Sequence, residues 1–524
     1  MKEKSSSKKF IYGTVVLMIF GLISKIIGAI YRIPLTKILT AEGMGIYQMV
    51  FPLYTLMLTI SSSGLPSSIS KIISECYAKN QIGQAKRVLK TSFVLLFLFS
   101  IVCSLVVLFG AKHIAHIQGN NDAWLGYIGI APAILLVGMI AGFRGYFQGL
   151  QIMTPSAISG LIEQVVKLGF GLLFSYKLSA KGVHFAVFGA VLGINLSEFI
   201  ALLYLFIRYQ FTKNKHKIKN TDLLLLSYKQ TAKNILSCSI VVTLGGLIMP
   251  LTMLIDSVVV INLLKKIGLS VQEATALFGL QTGVVGSIVN MPVILSLSIA
   301  TSILPMISRM KAKENEEGVT IYASKAVLLT IIISLPASVG VFTFSKEIIM
   351  LLYGKTLSSL EIAYASHILQ VASVGIFYLA MVQVSSGILQ GISKFNIPLI
   401  SLSIGAVFKI VLNIILVQIE DVNILGAEFS TVACYACAFI INVVFLIKYR
   451  VLKLDIRIFA LFGISLSIFV SKYLFNFLIK NNINFYFSLF MIIFLVVILY
   501  MIFVFLLYKN MLKREKKTKK NANI

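Results

Sequence analysis

Eight basic residues fall inside long apolar stretches of this sequence: Lys25, Arg32, Lys71, Arg144, Lys167, Lys325, Lys409 and Lys472. Three acids, Glu163, Glu198 and Asp256, lie as clearly within such stretches. A Lys or Asp at the centre of a membrane span costs about 2.5–3.5 kcal/mol on insertion scales. Each therefore needs a wet cavity or a partner, and each is a functional candidate. Lys25 and Arg32 are seven residues apart, two helical turns, which puts them on one face about 10 Å apart. Glu163 and Lys167 are four apart, a spacing that allows an ion pair on one helix face. Lys409 has Gly405 where such an acid would stand. Arg144 is expected at the membrane interface, and Lys325 and Lys472, near segment ends, are expected to snorkel. This chemistry is binding rather than bond making. Lys and Arg pair strongly with phosphate oxygens, so a basic excess suits an anion, and a diphosphate in particular. Glu163, Glu198 and Asp256 are the candidates for holding a coupling ion or for neutralising a lysine.

The elements that must hold these residues follow from composition. Of 524 residues, 58% are apolar and 13% charged, with a mean hydropathy of +0.93. A soluble domain is about 45–50% apolar and 25% charged, so a soluble enzyme and a disordered chain are both excluded. Fourteen apolar segments stand between clusters of charge, at roughly 10–36, 46–73, 91–111, 123–147, 155–178, 184–207, 234–263, 275–308, 321–344, 360–391, 396–418, 424–447, 458–479 and 484–508. The first is too long, and too interrupted by Lys25, Arg32 and Pro34, for a cleaved signal peptide. The fold class expected is an all-α polytopic membrane protein of about 14 spans. There are 47 Lys and Arg against 19 Asp and Glu, a net charge of +28. If the N-terminus is cytoplasmic and each segment crosses once, 30 of the basic residues fall in cytoplasmic loops and ends and 9 in external loops. That bias places both termini inside and makes the number of spans even. It also accounts for the charge without nucleic acid. No hydrophilic stretch outside the segments reaches 30 residues, so no catalytic domain fits in a loop.

Two halves resemble each other. Phe147-Gln148-Gly149, Pro155 and Lys167 recur as Leu389-Gln390-Gly391, Pro398 and Lys409, with Gln and Lys 19 residues apart in both. Leu65-Pro66 and Leu304-Pro305 are a second match. The expected organisation is a first lobe of six spans over 1–209, a basic cytoplasmic linker over 210–233, a second lobe of six spans over 234–450, an additional pair over 451–508 and a basic cytoplasmic tail over 509–524. Six is even, so the halves are parallel repeats, an arrangement used in alternating access. Pro34, Gly64, Pro66, Pro292 and Pro305 are the expected hinges or helix breaks. Other chemistry is not signalled. There is no P-loop. Cys434 and Cys437 sit in an apolar segment and read as packing. His113 and His116 have no carboxylate or cysteine near them, so no metal site is expected.

Ser24-Lys25-Ile26-Ile27-Gly28, Tyr31-Arg32-Ile33-Pro34, Gly43-Met44-Gly45-Ile46-Tyr47-Gln48 and Gly64-Leu65-Pro66-Ser67-Ser68-Ile69-Ser70-Lys71 resemble signatures of the stage V sporulation protein B group. Ser302-Ile303-Leu304-Pro305-Met306-Ile307-Ser308, in the second half, is similar to the last of these. The group belongs to the polysaccharide-transporter branch of the multidrug/oligosaccharidyl-lipid/polysaccharide exporter superfamily. The resemblance implies a V-shaped pair of six-helix lobes around a central cavity, and a groove for a polyprenyl tail on the last two helices. The implied substrate is an undecaprenyl-diphosphate-linked glycan such as lipid II. Lys25 matches a cationic cavity position, and Arg32, Lys167 and Lys409 join it as candidates for the diphosphate. Lipid II flippases of Gram-negative type also carry basic residues on the second and eighth spans; residues 54–64 and 284–292 here contain none. The expectation is a non-enzymatic flippase of the bacterial cytoplasmic membrane, serving peptidoglycan or spore-cortex synthesis. It would be a monomer, alongside proteins of cell-wall synthesis, with no cofactor beyond Na+ or H+ coupling. A cation-coupled multidrug antiporter and a membrane glycan polymerase are the alternatives.

Overall fold

The computed structural model describes residues 2–79, 81–215, 226–452, 458–481 and 483–521. Side chains are described within these limits, except at 2–18, 213–215, 241, 458–460, 462, 464, 466, 467 and 504–521. The centre of the expected basic linker, 216–225, and the side chains of the basic tail lie outside the described residues.

The helices run in the order α1 (Lys2–Leu58), α2 (Leu65–Ala78), α3 (Ile82–Ile117), α4 (Trp124–Gly149), α5 (Thr154–Ser179), α6 (Val183–Lys215), α7 (Tyr228–Gly246), α8 (Ile248–Lys266), α9 (Val271–Gly279), α10 (Gly286–Ala312), α11 (Glu316–Thr343), α12 (Ser345–Tyr353), α13 (Ser359–Gly391), α14 (Asn396–Leu416), α15 (Asn423–Lys448), α16 (Ile458–Lys480) and α17 (Phe485–Asn521). π-Helical stretches follow α1 at Thr59–Ser63 and α9 at Leu280–Val285. Strands are absent among the described residues, as a hydrocarbon environment requires when no barrel closes: only helices satisfy every backbone group within one segment.

Twelve helical stretches are long and apolar enough to cross a membrane. They differ from the fourteen sequence segments in two places. Segments 10–36 and 46–73 run together as Ile19–Ala78, 60 residues, or about 90 Å of helix against a hydrocarbon core of about 30 Å. The non-helical residue Thr40 (φ 65°, ψ −179°) kinks α1 between those two segments. The segment 458–479 is helical as α16 but is not one of the twelve, and its side chains are described only in part.

The expected helix breaks need correction. α1 continues through Pro34, and α10 through Pro292 and Pro305. The interruption of that later span is the π stretch Leu280–Val285, ahead of both prolines. A proline removes one N–H, but inside a membrane protein neighbouring helices and hydroxyl side chains satisfy the freed carbonyl. Gly64 and Pro66 do stand at a change of course. The π stretch ends at Gly64, and Pro66 sits in the first turn of α2, where its missing N–H costs nothing.

The internal repeat is visible in backbone geometry. α4 ends with Gln151 N–H donating to Gln148 O and Ile152 N–H to Phe147 O, both at 2.9 Å. α13 ends with Ser393 N–H donating to Gln390 O and Lys394 N–H to Leu389 O, again both at 2.9 Å. Gln151 and Ser393 carry the left-handed φ that this cap requires, 59° and 65°. A Cβ on Gly149 would lie 2.9 Å from Ile73, and one on Gly391 2.7 Å from Ile307. The same helix crossing is therefore built twice.

The chain forms two compact units, Met1–Ile288 with Ala406–Ser430, and Val289–Gly405 with Thr431–Ile524. In the first, glycines let backbones touch, the usual device where lipid supplies no hydrophobic drive between helices. α6 meets α5 at Gly193, where a Cβ would lie 2.3 Å from Gly171 Cα. α1 meets α9 at Gly45, where a Cβ would lie 2.0 Å from Thr275 O, and at Gly279, where one would lie 2.2 Å from Ala41 O. Gln48 Nε2 donates to Thr282 O at 2.7 Å, inside the π stretch. In the second unit, Ile307, Ala323, Val384, Ile388 and Leu389 form the core of α10, α11 and α13. α16 and α17 add Ile468, Phe475, Leu489 and Ile492 around Phe344.

Gly45→Ala is expected to destabilise the protein by about 1–3 kcal/mol, since the α1–α9 contact has no room for a methyl. Gly169→Ala, with nothing within 4 Å of its Cβ position, should leave stability unchanged. Thermal unfolding in detergent separates the two; equal melting would remove the close packing of α1 on α9.

Candidate functional site

Lys167 and Lys409 stand thirteen residues into the equivalent helices α5 and α14. Each heads a group of charges inside the first unit, and the two groups are built differently.

The first group lies among α1, α4, α5 and α6. Glu163 does not rely on Lys167, one turn along its own helix. Its carboxylate takes the Arg144 guanidinium of α4, which also donates to Ser159 Oγ from Nη2 at 2.9 Å and Nε at 3.1 Å. Arg144, expected at the interface, is thus a partly buried clamp between α4 and α5. Lys167 Nζ lies 5.9 Å from the centre of the Tyr31 ring of α1, a cation–π distance. The charges acting on it are Glu198 and Glu163, which attract, and Arg32, which repels. Tyr31 and Tyr54 are buried beside this group. Lys25, two turns before Arg32, is exposed and forms no ion pair among the described residues.

The second group lies among α8, α14, α15 and the π stretch after α9. Lys409 has no acid on its own helix but pairs with Asp256 of α8, with side-chain exposures of 12% and 14%. Its expected role as the freer positive charge is corrected accordingly: tertiary packing supplies the acid that position 405 lacks. Asn413, one turn on, donates from Nδ2 to Asp256 Oδ1 at 2.9 Å. Glu428 of α15, buried, accepts from Gln281 Nε2 at 3.0 Å and lies within electrostatic reach of Lys409 and Asp256. Glu428 and Gln281 were missed by sequence reasoning. Glu428 falls at the start of its segment, where an acid reads as interfacial, and an amide carries no charge to flag it.

One further residue changes meaning. Lys472 does not snorkel; it pairs with buried Glu347 at 2.6 Å and lies over the Phe344 and Phe475 rings at 5.1 and 5.6 Å, joining α16 to α12. Cys434 is buried and Cys437 partly so, and neither is in a disulfide. With Arg144, Lys409 and Lys472 paired, Lys25, Arg32, Lys71, Lys167 and Lys325 are left without an ion pair among the described residues, three of the five on α1 and α5.

The protein is a helical multi-pass membrane protein whose buried ion pairs join its spans, and its likeness to known proteins makes it one of the transporter class. The chain belongs to the polysaccharide biosynthesis protein family, whose model matches residues 10–311, within the multidrug/oligosaccharidyl-lipid/polysaccharide exporter superfamily. A MatE model matches residues 242–415. Stage V sporulation protein B of Bacillus subtilis (strain 168) is 25% identical over 87% of this chain and 87% of its own length. Lipid II flippase MurJ of the same organism is 27% identical over 82% and 81%. The fold is shared with a solved structure of lipid II flippase MurJ in an inward closed conformation, at a TM-score of 0.71 and 15% identity over 95% of this chain and all of that one. It is also shared with an inward-facing multidrug resistance MATE family transporter, at 0.66 and 16% over 83% and 98%.

Asp256→Asn would remove the carboxylate that pairs with the buried Lys409 ammonium, at an expected cost of about 3–5 kcal/mol. Asp256→Asn with Lys409→Met should recover most of that loss in thermal unfolding. If the double variant is no more stable than the single, the pair is not what Lys409 depends on.

Proposed function

We propose that this protein is a flippase for an undecaprenyl-diphosphate-linked cell-wall glycan precursor of the lipid II type. It would work by alternating access in the bacterial cytoplasmic membrane, with both termini on the cytoplasmic side. The observation that carries this reading is the basic set Lys25, Arg32 and Lys167 on α1 and α5, of which Lys25 forms no ion pair among the described residues. A diphosphate would take charge-assisted hydrogen bonds from such a set. The likeness to stage V sporulation protein B and to lipid II flippase MurJ supports peptidoglycan or spore-cortex synthesis as the process served, with cell-wall synthesis proteins nearby. The lipid tail stays in the bilayer against α16 and α17 while the headgroup crosses. No covalent step is required, so the chain acts as a carrier and not as an enzyme. A membrane potential negative inside favours outward movement of the anion by roughly 2.3 kcal/mol per charge per 100 mV. The second charged group suits coupling to Na+ or H+. Two carboxylates, Asp256 and Glu428, face one ammonium, Lys409, so full ionisation leaves one negative charge for a cation to balance.

That same group favours a second reading, a cation-coupled multidrug antiporter, because it lies largely within the stretch that matches the MatE model. The two readings separate in one reconstituted system. In liposomes carrying labelled lipid II or other lipid-linked glycans, wild type should move headgroups outward, and Lys25→Ala should slow this roughly tenfold. Equal rates would remove the role of Lys25. No movement of any lipid-linked glycan under any imposed gradient, with cationic-dye efflux abolished by Asp256→Asn or Glu198→Gln, would establish the antiporter instead.

A further inference from the structure

None of the residues above uses a long groove on the lipid-facing side of the first unit. Helices α3 and α6 each pack on α4 and stand apart from each other, leaving a channel of about 880 Å³ over α4. Phe143 of α4 forms its floor, with ring centres 4.7 Å from Phe93 of α3 and 6.3 Å from Phe206 of α6. Both walls are thus fixed to the floor. Phe97 of α3, with Phe199 and Leu203 of α6, lines the deeper part, and all three are exposed, by 44%, 53% and 47%.

The other end is basic. Lys86 and Lys90 line it, one turn apart on the face of α3 that carries Phe97. Neither forms an ion pair among the described residues. Arg87, between them, is turned aside: it donates to Leu226 O and its guanidinium lies 4.6 Å from the Tyr228 ring centre. Lys90 Nζ is 5.9 Å from the same ring. From Lys86 to Phe97 α3 rises by about 16 Å, the depth of one leaflet of a hydrocarbon core of about 30 Å. The cluster Lys79 to Lys90, at the end of α2 and the start of α3, falls on the side that the positive-inside bias assigns to the cytoplasm. Basic pockets between spans on that side take anionic headgroups.

We propose that this groove binds one anionic glycerophospholipid of the cytoplasmic leaflet, its phosphate on Lys86 and Lys90 and an acyl chain along Phe97, Phe199 and Leu203. The depth of one leaflet fits an acyl chain, and two lysines without acids select a net negative headgroup. This site is independent of the transported substrate and of the basic set on α1 and α5.

The test uses the full chain in mixed micelles of equimolar phosphatidylglycerol and phosphatidylcholine, with retained lipid counted by native mass spectrometry. Wild type should retain phosphatidylglycerol over phosphatidylcholine roughly tenfold. Lys86→Gln with Lys90→Gln should bring the ratio close to one, and Leu203→Trp, which narrows the groove, should lower retention of both lipids. Equal retention by wild type, or a preference that survives the double lysine variant, overturns the proposal. So does retention unaffected by Leu203→Trp, which would leave the headgroup on the lysines with no chain in the groove. A photo-crosslinker at position 97 in native membranes should capture lipid; capture of polypeptide would make the groove a protein interface and also overturn it.

Discussion

The interior of a bilayer offers no water, and this structure is organised around that lack. Every buried charge must be neutralised and every backbone carbonyl satisfied by the chain itself. The first demand produces the ion pairs Arg144–Glu163, Lys409–Asp256 and Lys472–Glu347, each joining two helices. The second produces contacts such as Gln48 on Thr282 O, where a π stretch disturbs the regular ladder. Neither kind of contact is strong evidence of stability, because desolvation offsets much of a buried pair. Their effect is to fix which helix faces which.

The same demand sorts the charged residues by function. A lysine that has found a carboxylate on a neighbouring helix is part of the scaffold. A basic residue left without one inside a span is affordable only beside water or an anionic ligand. Lys25 forms no ion pair among the described residues, whereas Lys167 stands in reach of Glu198 and Glu163, with Arg32 opposing them. Lys409 occupies the repeat-equivalent position to Lys167 but is closed off by Asp256, with Glu428 nearby. One ancestral helix position has thus been put to two uses. In the first half it contributes to a basic set; in the second it belongs to a group with an excess of acid.

Where lipid replaces water, close packing does what hydrophobic burial does in a soluble protein. Gly45 against Thr275 and Gly193 against Gly171 are backbone approaches that any side chain would prevent. The crossing of Gly149 on Ile73 recurs as Gly391 on Ile307, with the same caps and the same left-handed positions, Gln151 and Ser393, although neither is glycine. That repetition extends beyond the few matching letters in the sequence.

The sequence by itself determined the membrane class, the all-helical fold, the repeat and the positions of costly charge. Those follow from composition, from period and from the price of ionisation in hydrocarbon, all of which are local. Tertiary structure decided the pairings. Glu163 faces Lys167 at an ideal helical spacing and yet serves Arg144, because α4 brings a guanidinium that Ser159, one turn before Glu163 on α5, also holds. Lys409 looked free because its own helix holds no acid; its partner stands 153 residues away. Pro292 and Pro305 looked like breaks, but the helix is interrupted earlier, at a π stretch without proline or marked composition. Contacts between helices distant in the chain have no signature in local spacing, so only the fold could show which charges are paired across helices.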